Sequence, residues 1–280
     1  MENGPRGRLA PVRASDLLAE LTFDYAVVLS TPEAVVARFG STDEIFAGAS
    51  VTKIGSSMAV IVAIERGYID LDEPAGPPGS TVRHLLAHTS GVPFDAGPPI
   101  ARPGQRRIYS NYGIEILADM VEEATGVDFP TWKEATVLSP LHLSTVMLQG
   151  SAAHGGTGSA EDLAAIGREL MRPTLISEWM HQQATTVQFP GLPGVLPGYG
   201  RQERNDWGLG LEIRDHKTPH WTGTNNSPAT FGHFGQAGSF LWVDPAVNLS
   251  CAFLSAEPFG EVHKELWTPL NDALLKEYGR

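Results

Sequence analysis

"FAGASVTK", residues 46 to 53, places Ser50 and Lys53 three positions apart at the edge of an apolar run. From Ser50 to Glu65 the apolar positions Val51, Ile54, Met58, Ile61, Val62 and Ile64 follow helical spacing, and Gly67 stands where a helix-ending glycine is expected. The spacing predicts a helix with Ser50 and Lys53 one turn apart at its start. Two readings of that pair are open. In one, Ser50 caps the helix and Lys53 is a solvated charge; in the other, Ser50 is a nucleophile with an amine beside it. A serine attacks only when something takes its proton, and the oxyanion it creates needs donors. A helix N-terminus supplies free N–H groups and a favourable dipole for that anion. Ser-x-x-Lys alone is a weak signal, so its meaning depends on partners elsewhere in the chain.

Outward from this helix, the chain reads as strands at both ends around a helical middle. "SDLLAEL" (15–21) predicts a short helix, and "DYAVVLST" and "EAVVARFG" predict two strands joined by a turn at Pro32. "STVRHLLAH" predicts a short helix ended by "TSG", and "NYGIEILADMVEEATG" another with Gly126 as its stop. "SAED" (159–162) resembles a capping box for a helix through Leu170. "WGLGLEI", "GSFLWVD" and "NLSCAFLS" predict strands, and Val262 to Tyr278 a closing helix. "EPAGPPGS", "DAGPPIARPG" and "FPGLPGVLPGYG" read as loops, the last bordering a pocket. The pattern implies an α+β fold: one antiparallel sheet built from both chain ends, flanked by helices, with an inserted helical subdomain. The expected organisation is a single domain over 1–280, with a sheet part from about 1–49 and 205–280 and a helical part from about 50–204.

Composition narrows the function classes. The balance of 20 Lys+Arg against 32 Asp+Glu gives a net charge of −12, which opposes binding to nucleic acid or anionic lipid. The longest apolar run, "MAVIVAI" (58–64), is too short to span a bilayer. "MENGPRGRLAPVRAS" has basic residues with no apolar stretch after them, so no secretory signal is read and a cytoplasmic location is expected. The one cysteine, Cys251, excludes an internal disulfide framework. Its alternation with Val247, Leu249 and Phe253 puts it on the inward face of a strand.

Partners for Ser50 and Lys53 do occur downstream. "IYSNYG" offers Tyr109 and Asn111 on a turn before a helix, and "FGHFGQAGSFLWVDP" offers His233 between glycines entering a strand, where another molecule can approach the backbone. Singly these are an ordinary turn and an ordinary bend. Together, Ser50-Val-Thr-Lys53, Tyr109-Ser-Asn111 and His233-Phe-Gly235 resemble the three motifs of the class C β-lactamase and penicillin-binding serine hydrolase family. "TVRHLLAHTSGVP", "VEEATGVDF", "LSPLHLSTVML" and "WGLGLEI" resemble its connecting segments, so the similarity runs from about residue 40 to 255.

The resemblance implies an acylated Ser50 with Lys53 as its amine partner and Tyr109 as the proton carrier to the leaving group. It implies that Asn111 hydrogen-bonds substrate or Lys53, and that the backbone N–H groups of Ser50 and Gln236 form an oxyanion hole beside Gly235. His233 stands where many members have lysine, as in esterases and peptidases of the family. Whether Lys53 is a neutral base or a cation acting on Tyr109 stays open. "PLHL" (140–143) departs from the family's Pro-Leu-Gly, the chain is shorter than most members, and no separate deacylating glutamate is evident. The implied activity is hydrolysis of a small ester or amide through Ser50, with a small-molecule acyl substrate and no cofactor or metal; β-lactamase or D,D-peptidase action, acyl transfer to another acceptor, and a non-catalytic binding role are the alternatives.

Other patterns carry less. His84 and His88 in "HLLAH" have a metal-like spacing without the glutamate of a zinc-protease motif, and read as core or capping residues. "HKTPH" (216–220) reads as loop, Ser90 as a turn residue, and "GGTGSAED" lacks the Lys-Ser/Thr of a phosphate loop. No Gly-x-Ser-x-Gly occurs, which argues against an α/β-hydrolase.

Overall fold

The computed structural model describes residues 12–279. The N-terminal stretch read above for a targeting signal therefore lies almost wholly outside the described residues. Six strands form one antiparallel sheet in the order Val35–Gly40, Tyr25–Ser30, Leu249–Ser255, Ser239–Asp244, Phe231–Gly235, Glu212–Ile213. Tyr25 lies opposite Ser255, so the sequence's two strand-rich ends meet at the centre of the sheet.

Strand alternation divides the core in two. Val27, Leu29, Phe240, Trp242, Cys251 and Phe253 face one side and pack on the closing helix Glu261–Tyr278 through Trp267, Leu270 and Leu274. Ala26, Val28, Leu241, Val243, Ala252 and Leu254 face the other side and pack on the helical body. Cys251 is thus a buried free thiol of the first core, as its alternation implied.

The helix Thr52–Glu65, entered through a 3₁₀ turn at Ala49–Val51, lies at the centre of the helical body. Every residue from Thr52 to Ala63 is buried, so this helix is enclosed all round rather than amphipathic. Its exit matches the expected signal: Gly67 has φ +75°, and its N–H donates to the Ile64 carbonyl at 2.9 Å. The helices Tyr112–Thr125, stopped by left-handed Gly126, and Ala160–Met171 pack around it. At "PLHL", His142 takes φ +57°, so a non-glycine residue holds the left-handed turn there.

Three local expectations change, and one further strand appears. Ser159 does cap its helix by accepting from the Asp162 N–H, but Asp162 turns its carboxylate to Thr145 N and Oγ1 at 2.6 and 2.7 Å, so no capping box closes. "WGLGLEI" is not one strand. Trp207 bridges to Glu212 across a tight turn at Gly208–Gly210, where Gly210 has φ +73°, leaving only Glu212–Ile213 in the sheet. Part of "FPGLPGVLPGYG" forms a hairpin, Gly194–Leu196 with Gly200–Gln202. "GGTGSAED" holds a strand, Gly156–Gly158, paired with Phe46–Ala47 just before the Ser50 turn. No helix among the described residues is long and apolar enough to cross a membrane.

Candidate active site

The Ser50 turn is clamped from two sides. The Gly48 N–H donates to the Gly156 carbonyl at 2.8 Å, and the Gly48 carbonyl accepts from Ser239 Oγ at 2.8 Å. Ala49, immediately before Ser50, has φ +43°, a conformation that costs a residue with a Cβ about 1–2 kcal/mol. The strand Phe231–Gly235 comes so close that a Cβ on Gly235 would lie 2.5 Å from the Gly48 oxygen and 3.1 Å from the Ser50 nitrogen. Glycine at 235 is what lets the sheet edge reach the turn.

Lys53 lies one turn below, fully buried, with Nζ 3.3 Å from Ser50 Oγ. Nζ also donates to Asn111 Oδ1 at 2.6 Å and to the Ala153 carbonyl at 3.0 Å. Burial pulls the Lys53 ammonium down to about 7, against an opposing pull from the Glu115 charge. A neutral amine has two N–H groups and one lone pair. Two carbonyl oxygens occupy the N–H groups, so the lone pair is left for the remaining neighbour, the Ser50 hydroxyl. Glu115, on the helix that Asn111 introduces, fixes the loop carrying Ala153: its carboxylate accepts from the Ala153 N–H at 3.2 Å and from the Ser151 hydroxyl. Neither Glu115 nor the Ala153 carbonyl belongs to a motif, and sequence reading missed both.

Tyr109 sits among the rings of His88, Phe94, Trp207 and His233, with centroids 5.0 to 5.9 Å away, and Lys53 Nζ lies 4.8 Å from its own centroid. The residue is half-buried, but its hydroxyl oxygen is out of solvent with no well-formed hydrogen bond among the described residues. Burial raises the Tyr109 phenol well above its usual value, and the nearby Ser50 hydroxyl offsets only part of this. The phenol is therefore protonated and able to donate.

His233 is buried, and burial first, then the Lys53 charge, pushes it down to about 3. Its neutral ring places Nδ1 2.6 Å from the Phe234 carbonyl, which makes Nδ1 the donor and leaves Nε2 as an unpartnered acceptor. His88 has the opposite tautomer: Nδ1 accepts from the Ser110 N–H at 3.2 Å. His84, one turn earlier, contacts Thr81 and lies against Phe189 instead, so the "HLLAH" pair is split between two environments.

Ser50, Tyr109, His233 and the exposed Gln236 line one cavity of about 190 Å³, together with Trp207 and Glu212. Glu212 is the residue that sequence reading missed most plainly. Its carboxylate accepts from Lys217 Nζ at 2.8 Å, His220 Nε2 at 2.9 Å and Trp221 Nε1 at 2.7 Å, all buried. "HKTPH" is loop, as read, but Lys217 turns inward as the counter-charge of Glu212 and His220 as a hydrogen-bond donor to it. Burial alone would raise the Glu212 carboxyl, but the Lys217 ammonium and then His220 override it and hold it well below the usual range. Burial draws Lys217 down in turn, opposed by Glu212, so the pair keeps its charges by mutual attraction. Among the described residues no lysine or arginine lines this cavity, Lys53 lying behind Ser50.

The family profile for Beta-lactamase matches residues 25–275 of the chain. A crystal structure described as a beta-lactamase (Mb2281c) from Mycobacterium bovis superposes with a TM-score of 0.94 at 49% identity, covering 95% of this chain and all of that one. Penicillin-binding protein 4* of Bacillus subtilis (strain 168) is 25% identical over 48% of this chain and 36% of its own length. The D-alanyl-D-alanine-carboxypeptidase/endopeptidase AmpH of Escherichia coli (strain K12) is 24% identical over 50% of this chain and 49% of its own. The chain thus spans no more than about half the length of these curated relatives. With a profile match over most of its residues and the same fold as the mycobacterial structure, this chain belongs to the Beta-lactamase family.

Proposed function

We propose that the protein is a serine hydrolase that forms an acyl-enzyme at Ser50 and acts on small carboxylic esters or amides. The observation that carries this reading is the placement of Lys53: a buried amine near 7 whose lone pair is left for the Ser50 hydroxyl 3.3 Å away. In this reading neutral Lys53 takes the Ser50 proton as Oγ bonds to the substrate carbonyl carbon. The carbonyl oxygen becomes an oxyanion between the N–H groups of Ser50 and Gln236. As the carbonyl re-forms and the ester or amide bond breaks, Tyr109 gives its phenolic proton to the leaving group and regains one from the Lys53 ammonium. Water then attacks the acyl-enzyme by the same steps in reverse, restoring Ser50 and releasing the acid.

β-Lactam hydrolysis is the second reading, favoured by the description of the mycobacterial relative. The cavity supports ester preference instead. Its border carries neutral His233 and, among the described residues, no fixed cation to hold a β-lactam carboxylate. Purified protein should therefore turn over p-nitrophenyl butyrate with kcat/KM at least about a hundredfold above that for a chromogenic cephalosporin, a difference of about 2.7 kcal/mol in transition-state binding. Equal or faster cephalosporin hydrolysis would reverse the assignment between the two readings and leave Ser50 as the nucleophile in both.

A further inference from the structure

We propose that the substrate carries an anionic group at the far end of an apolar arm, held by Arg106 and Arg201 in a groove adjoining the Ser50 cavity. The inference rests on Ser50 being the nucleophile. The cavity at Ser50 shares Phe94, Tyr109 and Pro197 with a second, larger one of about 560 Å³, so the two adjoin across these three residues. Backbone pairing builds that groove. The Arg107 N–H donates to the Pro193 carbonyl at 2.9 Å, Arg107 bridges to Gly194, and Val195 lies opposite Arg201 in the hairpin.

The groove's lining is apolar with a cationic rim. Phe94, Ile100 and Val195 are 48%, 54% and 59% exposed, unusual for large apolar side chains brought together. Among the described residues three arginines line the groove and no carboxylate does, in a chain whose net charge is −12. Arg107 is committed inward, its guanidinium donating to the carbonyls of Ala87, Gln188, Phe189 and Asn205, so it contributes field rather than contact. Arg106 is free of such commitment. It is exposed, reaches only the Ile100 carbonyl at 3.3 Å, and has no carboxylate within ion-pair distance among the described residues. Arg201 pairs with Glu203 at 3.5 Å, but with side chains 73% and 87% exposed that pair is weak enough for an anionic ligand to displace. An exposed apolar floor and two available guanidiniums fit one ligand chemistry: an elongated ester or amide ending in a carboxylate or phosphate. Arg106 and Arg201 line the groove and not the Ser50 cavity, so an anion next to the scissile bond, as in a β-lactam, gains less from them than one at the end of an arm lying in the groove.

Two series of p-nitrophenyl and related aryl esters test this. The first compares half-esters of dicarboxylic acids with neutral acyl esters of equal length. The second puts the carboxylate or phosphate, or a neutral methyl ester, on the alcohol side. At one chain length in at least one series, kcat/KM for the anionic member should exceed its neutral counterpart at least about tenfold, mainly through KM, and the ratio should fall in 0.5 M salt. R106Q combined with R201Q should bring that ratio to one or below and leave neutral esters within about twofold of wild type. Neutral members preferred at every length in both series, or an anionic preference that survives R106Q with R201Q, would overturn the proposal. Ser50-dependent turnover of neutral esters reports separately on the nucleophile, so the two readings fail distinguishably.

Discussion

Two buried amines meet at the helix Thr52–Glu65, Lys53 from its first turn and Lys133 from the helix packed on it, and they differ in what surrounds them. Lys53 meets Asn111, Ala153 and Ser50; among the described residues Lys133 bonds only to Ser56 Oγ at 3.3 Å, lying so close over the helix that a Cβ on Gly55 would sit 3.1 Å from its Cε. Burial lowers Lys53 to about 7 and Lys133 to about 8. For Lys53 the consequence under the proposed function is catalytic. Only the neutral amine accepts the Ser50 proton, so kcat/KM for a neutral ester should rise with pH, reach half its plateau near pH 7, and stay flat above about pH 8. A profile flat from pH 5 to 9, or still rising at pH 10 as for an unperturbed lysine, would show that Lys53 is not the base. For Lys133 the consequence is stability. Its folded pKa lies below the unfolded value, so the unfolded state binds more protons between about pH 8 and 10.4 and stability rises with pH across that window. The full cost of burying the ammonium is present below pH 8. Lys133→Met should therefore stabilise the fold by about 2 kcal/mol at pH 7 and abolish the rise above pH 8, as read by denaturant unfolding. A variant less stable than wild type at pH 7 would assign Lys133 a structural role that its single contact does not reveal. Lys133 carried no sequence signal, because "TWKEAT" looks like any solvated helix position.

At the scale of elements, the site depends on a strand edge and a helix start meeting at Gly235 and Ser50. That meeting was legible in part. Ser-x-x-Lys, Tyr-x-Asn and His-x-Gly marked the segments, because each needs particular residue types at a fixed local spacing. The loop at Ser151–Ala153 was not legible, since it acts through a backbone carbonyl and any side chain leaves that carbonyl in place. "WGLGLEI" misled because Trp207, Leu209, Leu211 and Ile213 alternate as a strand would, while the chain folds back at Gly210 so that Trp207 bridges Glu212. Lys217 and His220 were hidden because nothing in their spacing marks Glu212, five and eight residues earlier, as a buried partner. The close approach itself gives a test. Gly235→Ala would push a methyl group against the Gly48 carbonyl oxygen and the Ser50 nitrogen, parting the strand from the turn. The expected result is a drop of about a hundredfold in kcat/KM with a loss of only about 1–2 kcal/mol in stability, since the rest of the sheet register is unaffected. Unchanged turnover in a folded Gly235→Ala variant would remove the strand edge from the proposed oxyanion site.

Across the whole molecule, the strand-rich ends and helical middle were readable because strand alternation survives in the sheet's two buried faces, with Phe240, Trp242, Cys251 and Phe253 on one and Leu241, Val243, Ala252 and Leu254 on the other. Enclosure of the helix Thr52–Glu65 on every side was not readable, because Lys53 and Ser56 are polar residues whose partners, the Ala153 and Ala152 carbonyls, lie far along the chain. The same packing places the Ser50 hydroxyl and the depressed Lys53 amine between sheet and helices, beside a cavity that adjoins a groove with a cationic rim. Everything functional in this account passes through a covalent bond at Ser50. The most direct measurement is intact-mass spectrometry, with fragment mapping, of the protein treated with a fluorophosphonate or a slow acyl donor, beside Ser50→Ala. The account predicts one adduct per chain, mapped to Ser50, absent from the folded Ser50→Ala variant, whose ester turnover falls by on the order of a millionfold. An adduct on another residue such as Ser90, or a Ser50→Ala variant that still turns over esters at the wild-type rate, would contradict it.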